Sequence, residues 1–412
     1  MSEQMRVHRS RKQIWRGLWL DIHCYLGLWV GACLAVLGLT GSILVFFQEI
    51  DAWLNPDLLT VTVPAGSEQT DNPAYPFDPR KIIQAAKQVA APDSTLTSVY
   101  APHTHQGVFA IDADQASGDW QRIFVDPYQT TVTGIRSYSA DEWFPDYLID
   151  FIFQLHFSLL LGAPGITLMA VVALLLIISL ITGLILWWPK TGQWRKALTI
   201  KGQSGAIRLT VDMHKTFAFY SCMIVGAALL SGVYMNLNDS FIWVTQQFSP
   251  ATRGSPHQLV SLRSENAVPI EIDRAWAIAA KHFPDAELKS INAPEDATGV
   301  YVITQKNIPG LSPFWTERHI AIDQYSGGIL DIRAPNARHS AGEAFLDWQW
   351  PLHSGNAFGW AGRMLIFIAG LACPVIYVTG VIRWLQKRKI PKASRNKAQL
   401  DSLSNEHIGK PQ

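Results

Sequence analysis

Four histidines, His23, His156, His214 and His353, stand at matched places in a chain that repeats itself. Asp21-Ile22-His23 returns as Asp212-Met213-His214, and Leu155-His156 returns as Leu352-His353. The match continues at fixed offsets. Leu39-Thr40-Gly41 and Leu230-Ser231-Gly232 both begin 16 residues after their histidine, Gly162 and Gly359 both lie 6 after theirs, and Gly165 and Gly362 both 9. Thr182-Gly183 and Thr379-Gly380 begin 26 residues on, and Trp187 and Trp384 lie 31 on. Neutral imidazole is the commonest metal ligand, and an ionisable side chain inside a membrane segment is read as functional by default. Two pairs of histidines in a duplicated membrane bundle point to two metal centres, with two haems as the leading expectation.

The elements that must position these histidines follow from composition. The 412 residues are 48% hydrophobic and 16% charged, which excludes a single soluble domain. Four mainly apolar stretches, roughly 25–47, 166–188, 217–237 and 364–385, are each long enough to cross a bilayer of ~30 Å as a helix. Basic residues flank one side of every span: Arg6, Arg9, Arg11, Lys12 and Arg16 before the first; Lys190, Arg195, Lys196, Lys201 and Arg208 between the second and third; Arg383, Lys387, Arg388 and Lys389 after the fourth. The positive-inside rule puts these segments in the cytoplasm and the two long polar stretches outside it. The expectation is a bacterial inner-membrane protein with both termini cytoplasmic and its soluble domains periplasmic. The first span lacks a small-residue cleavage site and is expected to be a retained anchor. A net charge of +1 gives no electrostatic case for nucleic acid, whereas the interfacial Trp and basic residues fit membrane lipid. Cys24, Cys33, Cys222 and Cys373 all fall within spans, so no disulfide framework is expected, and no Cys-x-x-Cys-His allows covalent haem attachment.

Both polar stretches read as one helix and then short alternating strands. Asp78-Pro79-Arg80 opens a helical pattern that Ile270–Lys281 repeats. Ser98-Val99-Tyr100-Ala101-Pro102 matches Ser290-Ile291-Asn292-Ala293-Pro294, and Phe124-Val125-Asp126-Pro127-Tyr128 matches Ala321-Ile322-Asp323-Gln324-Tyr325. Period-two alternation bounded by Gly, Pro and Asp predicts antiparallel strands. The expected fold is a four-helix transmembrane bundle with two α+β domains, built as an internal duplication. Its parts are a cytoplasmic N-terminus at 1–16, a first span at 17–47, a domain at 48–146, a second span with a preceding kinked segment at 147–188, a loop at 189–212, a third span at 213–237, a second domain at 238–346, a fourth span with a preceding kinked segment at 347–386, and a tail at 387–412.

The Asp-x-His opening a span, the Leu-His before the return span, the Thr-Gly and later Trp near its end, and the domain whose last motif is Asp-x-Tyr together resemble the PepSY-associated transmembrane family over roughly residues 15–390. Within it the chain is similar to the FoxB-type di-haem siderophore (ferric) reductases. That resemblance implies two non-covalent b-type haems, periplasmic PepSY-like domains, and reduction of siderophore-bound ferric iron with release of Fe(II).

Topology sorts the histidines. Spans one and three enter from the cytoplasm and carry His23 and His214 at one depth; spans two and four return and carry His156 and His353 at another. Each pair joins both halves, as bundle sites do. Two axial imidazoles leave no open iron position, which suits electron transfer rather than ligand binding. Asp150 and Asp347, both 6 residues before the second pair, and Asp21 and Asp212, both 2 before the first, are candidate hydrogen-bond partners of the ring N–H groups. Arg363 and Lys215 are candidate partners of haem propionates, with interfacial snorkelling as the competing role. From His156 to Trp187 is 31 residues, or ~46 Å of straight helix, so Gly162-Ala163-Pro164-Gly165 is expected to break it.

The acceptor side is expected to use Trp143-Phe144, Trp348-Gln349-Trp350, Tyr234, Asn236 and Asn238, with His103 and His105 as a transient iron site against the plainer reading of an exposed loop. No Gly-x-Gly-x-x-Gly precedes a helix, so the electron donor is expected to be a separate cytoplasmic protein or a membrane quinol. Three alternatives stay open: a zinc or copper site, a membrane-anchored PepSY protein that binds peptides or partners in a regulatory role, and a quinol-linked cytochrome b with another acceptor.

Overall fold

The computed structural model describes residues 11–65, 79–139, 147–189, 192–201, 205–251, 259–262, 267–284, 286–308, 316–334 and 340–408. The first half runs α1 (Arg11–Trp29), α2 (Gly31–Leu44), α3 (Phe47–Leu54), α4 (Pro56–Leu59), α5 (Pro79–Val89), β1 (Thr95–Tyr100), β2 (Phe109–Asp114), β3 (Trp120–Val125), β4 (Val132–Tyr138), α6 (Leu148–Ser158) and α7 (Gly162–Trp187). After α8 (Trp194–Ala197), the second half runs α9 (Ala206–Asn236), α10 (Asn238–Gln246), α11 (Ile272–His282), β5 (Glu287–Asn292), β6 (Val300–Lys306), β7 (Arg318–Asp323), β8 (Ile329–Arg333), α12 (Ala341–Asp347), α13 (Gln349–Ser354) and α14 (Gly359–Ile408).

Helices α7, α9 and the stretch Asn356–Arg388 are each long and apolar enough to cross a membrane. The pair α1–α2, bent by 54°, makes a fourth candidate span if counted as one. The bend falls where Gly31 meets α14, since a Cβ there would come within 2.9 Å of the Tyr377 ring. Two stripes divide α7. Leu168, Val171, Leu174, Ile178, Ile181 and Ile185 are exposed, whereas Met169, Val172, Ala173, Leu176, Ser179 and Thr182 are buried. Three- and four-residue spacing puts each set on one face. An apolar outer face with small polar groups inside is what lipid requires, because the hydroxyls find partners only within the bundle. Helices α2 and α14 approach closely where Gly38 meets Gly370: a Cβ on either would lie 2.4 or 2.5 Å from the other's carbonyl oxygen. Beside that contact, Ser42 Oγ donates to Phe367 O at 2.9 Å.

The expected strands form, but they do not make two separate sheets. One eight-stranded antiparallel sheet has the order β4-β3-β2-β1-β5-β6-β7-β8. The meanders of the two halves meet edge to edge, with Ser98 opposite Asn292, Val99 opposite Ile291, and Tyr100 opposite Ser290. Edge pairing satisfies backbone groups that would otherwise be open strand edges. The fully buried Val99 and Ile291 continue one core across that seam, together with Ile82, Ala86, Ala275 and Ala279 from α5 and α11. The opposite sheet face packs partly on the residues after the first span: Leu58 and Val61 meet Val108 and Phe124. The sheet is therefore fixed directly over one end of the helices.

Candidate functional site

The four histidines stand as two facing pairs. His23 on α1 and His214 on α9 have ring centroids 6.3 Å apart with planes at 77°. His156 on α6 and His353 on α13 have centroids 6.1 Å apart with planes at 70°. The second pair lies toward the sheet. Along α9, His214 is 14 to 17 residues from Ala228 and Ser231, the contacts of His353, so the pairs are separated by about 21–26 Å at 1.5 Å per residue.

Each ring is held through Nδ1. His23 Nδ1 is 3.0 Å from Ser179 O and 3.4 Å from Thr182 Oγ1 on α7. His214 Nδ1 is 2.9 Å from Ile376 O and 3.3 Å from Thr379 Oγ1 on α14. His353 Nδ1 is 2.9 Å from Ser231 Oγ and 3.1 Å from Ala228 O on α9. His156 Nδ1 is 2.9 Å from Thr40 Oγ1 on α2. The hydroxyl protons are already committed: Thr182 donates to Ser179 O, Thr379 to Val375 O, Ser231 to Ala227 O, and Thr40 to Val36 O. Carbonyls only accept, so Nδ1 of His23, His214 and His353 carries the proton and donates it, and Thr40 Oγ1 is an acceptor for His156 in the same tautomer. In that tautomer Nε2 is a bare lone pair, the form in which histidine binds metal.

A glycine flanks each ring. A Cβ on Gly183 would lie 2.9 Å from His23 Cε1, on Gly41 3.1 Å from His156 Cε1, on Gly380 3.2 Å from His214 Cε1, and on Gly232 3.9 Å from His353 Cε1. The repeated Leu-Thr-Gly, Leu-Ser-Gly and Thr-Gly motifs thus supply both the hydroxyl that orients an imidazole and the gap that admits it. Spacing alone reveals these motifs as repeats but not this role.

The sheet-side histidines reach this depth through a chain reversal. Leu159, Leu160 and Gly162 have φ of 52°, 61° and 60°, so α6 ends and α7 begins in a new direction. The expected break at Gly162–Gly165 therefore starts three residues earlier, and Pro164 sits in the first turn of α7, where its missing N–H costs nothing. In the second half Gly355 and Gly359, with φ of 81° and 56°, do the same between α13 and α14. The folded-back turns press on Gly165 and Gly362, where a Cβ would lie 1.9 Å from Ser158 O and 2.0 Å from Gly355 O. Asn236, expected on the acceptor side, instead ties the first reversal by donating to Phe157 O and Ile166 O at 3.3 and 3.1 Å.

The donor set fits a haem at each pair. A metal held between two imidazoles at ~2 Å from each nitrogen sets ring centroids roughly 6 Å apart, close to both observed spacings. Among the described residues no group of three or more His, Cys, Asp or Glu converges, which disfavours a tetrahedral zinc or copper site. Around His23 and His214 a cavity of about 510 Å³ is lined by Gly27, Gly31, Gly183 and Gly380, with Lys215, Arg383 and Lys387 at its basic end. That volume lies within the ~300–1,000 Å³ of small-molecule sites. Arg383 and Lys387 are additions, since the sequence reading used them only for topology.

The other candidates are placed as follows. Lys215 is held by Asp212 at 2.8 Å. Arg363 donates to Val45 O at 2.7 Å and pairs with Glu49 at 2.6 Å, its guanidinium 4.8 Å from the Phe46 ring and 4.7 Å from that of Trp360. Asp150 accepts from Tyr138, and Asp347 pairs with Arg333, so neither supplies the Nδ1 contact of its neighbouring histidine. Asp21 is exposed. Gln48 Nε2 donates to His103 Nε2 at 2.7 Å, and desolvation, with repulsion from Lys306 and Lys289 second, pushes the His103 pKa down to about 4. His105 is exposed. Tyr234 stacks edge-on with Phe241, and Trp143-Phe144 lies outside the described residues.

A family model for the PepSY-associated TM region matches residues 20–387. No curated protein matches the chain.

Proposed function

Because the chain belongs to the PepSY-associated transmembrane family, a membrane family, we propose that it is an oxidoreductase carrying electrons through the bilayer between two bis-histidine b-type haems to a ferric siderophore. The observation that carries this reading is the two facing imidazole pairs, with ring centroids 6.3 and 6.1 Å apart and every ring held at Nδ1 by a neighbouring helix. We read the chain as an internal duplication with two PepSY-like domains, in the bacterial inner membrane, with both termini cytoplasmic and the sheet periplasmic.

A haem held by each histidine pair would supply one-electron redox chemistry. The chain's own residues do the rest. His23 and His214 hold one group, His156 and His353 the other. The carbonyls and hydroxyls at their Nδ1 atoms fix tautomer and ring orientation and raise ligand basicity. Lys215, Arg383 and Lys387 provide charge for carboxylates at the far end of the bundle. The bundle's apolar walls, including Leu34, Leu176 and Leu229, exclude water between the two levels. The acceptor takes one electron per ferric ion and releases Fe(II). The donor is a cytoplasmic reductase or a quinol.

The test is reoxidation. Protein reduced with dithionite in nanodiscs, freed of excess reductant, is mixed with a ferric hydroxamate siderophore, and Fe(II) is trapped by a chromogenic chelator. Loss of the reduced spectrum together with one Fe(II) per electron is the expected result. A spectrum that stays reduced over hours refutes the siderophore as acceptor.

A further inference from the structure

Two arginines on the last strands of the two meanders reach the segments that carry the sheet-side histidines. Arg136 on β4 has a side chain only 3% exposed. It makes a two-pronged pair with Asp51 on α3 at 2.7 and 2.8 Å and lies 3.8 Å from Asp150 on α6. Tyr138 on the same strand donates to Asp150 at 2.8 Å, and the guanidinium sits 4.7 Å from the ring of Tyr147, the residue that caps α6. Arg333 on β8 pairs with Asp347, the last residue of α12, at 2.5 Å, and the same nitrogen approaches Glu343 O at 3.4 Å. One residue, Trp348, then separates α12 from α13.

The two arrangements are in register. Arg136 precedes His156 by 20 residues and Arg333 precedes His353 by 20, and each aspartate lies 6 before its histidine. Asp150 and His156 lie six residues, about 9 Å, apart on α6, and Asp347 ends α12 just before the α13 that carries His353, so each carboxylate holds the segment on which an imidazole is mounted. The far-side histidines have a different support: His23 and His214 lie on α1 and α9, whose Nδ1 contacts come from α7 and α14. Arg136, with so little exposure, is costly to leave unpaired, and Arg333, whose side chain is 11% exposed, less so.

We infer that Arg136 and Arg333 are positioning residues for the sheet-side histidine pair, struts that set the spacing of His156 and His353 from the sheet. The haem-dependent part rests on the functional reading above; the mechanical part does not.

Charge exchange tests this on the full-length protein. Arg333→Asp and Asp347→Arg are made singly and together, with Asp347→Asn as the milder variant, and two readouts are taken. Hydrogen exchange is followed by mass spectrometry over 349–354 and, as control, over the part of α9 around His214. Haem content and low-spin spectrum are measured on the same samples. The single variants are expected to exchange faster at 349–354 with α9 unchanged, and to bind the sheet-side haem ~10–100-fold more weakly, as for loss of other residues that support metal ligands. The double variant is expected to restore both. Unchanged exchange in the single variants, equal acceleration in both regions, or a double variant no better than the singles overturns the inference. If the parent binds no haem, the exchange data still decide the mechanical claim by the same outcomes, while the functional reading fails on its own.

Discussion

Replacing His156 and His353 together with alanine is expected to halve the haem content and abolish electron delivery to an external acceptor. The two imidazoles face each other at 6.1 Å, and among the described residues no third metal-binding side chain converges on them. Alanine at both positions removes the metal-binding set of that pair. The far pair survives, because His23 and His214 sit on other helices with their own hydroxyl and carbonyl supports. The remaining haem keeps its low-spin spectrum and can still be reduced. His156→Ala alone leaves one imidazole and is expected to give a mixed-spin spectrum with an open axial position. His103→Ala/His105→Ala serves as control and leaves both spectra unchanged, since those side chains lie in the loop between β1 and β2. Pyridine haemochrome per chain, together with the rate of reoxidation by ferric siderophore, measures all of these.

Gly362→Ala is expected to have the next largest effect. The new Cβ would lie 2.0 Å from Gly355 O and 3.1 Å from its carbonyl carbon, inside the reversal that brings α13 back against α14. Backbone, unlike a flexible side chain, cannot step aside without undoing the turn. The cost is expected to reach or exceed the ~1–3 kcal/mol of ordinary overpacking, and His353 is displaced with the turn. Gly165→Ala meets Ser158 O at 1.9 Å and should do the same to His156. Gly17→Ala, on α1 with nothing within 4 Å of its Cβ, should be neutral or raise stability by about 0.5–1 kcal/mol through helix propensity. Thermal unfolding in detergent followed by circular dichroism, with the sheet-side haem spectrum as second signal, separates these cases.

Much of this arrangement can be read in the primary structure, for definite reasons. Basic flanks give the direction of each span, direction gives depth, and depth pairs His23 with His214 and His156 with His353, the pairs found in the fold. The need for a helix break after His156 follows from length alone, although its start at Leu159 does not, because a leucine at positive φ carries no composition signal. The partners of Nδ1 are not legible in the same way. Aspartates near a histidine in sequence look like natural acceptors, but six residues along a helix turn the side chain to another face. Asp150 and Asp347 therefore reach strand arginines, while the rings meet threonine, serine and carbonyls more than a hundred positions away. The fusion of two meanders through β1 and β5 was equally hidden. Pairing between Val99 and Ile291 leaves no local trace, since each strand has the same alternation whether its edge is open or joined.

Two bis-histidine haems at two depths of one chain are tested most directly by haem stoichiometry with a redox titration of the purified full-length protein. Two non-covalent b-type haems per chain, both low-spin in oxidised and reduced forms and each removed separately by alanine at its own histidine pair, are predicted. A colourless protein after expression with haem supplied, or a single haem that persists when either pair is replaced, would contradict this arrangement.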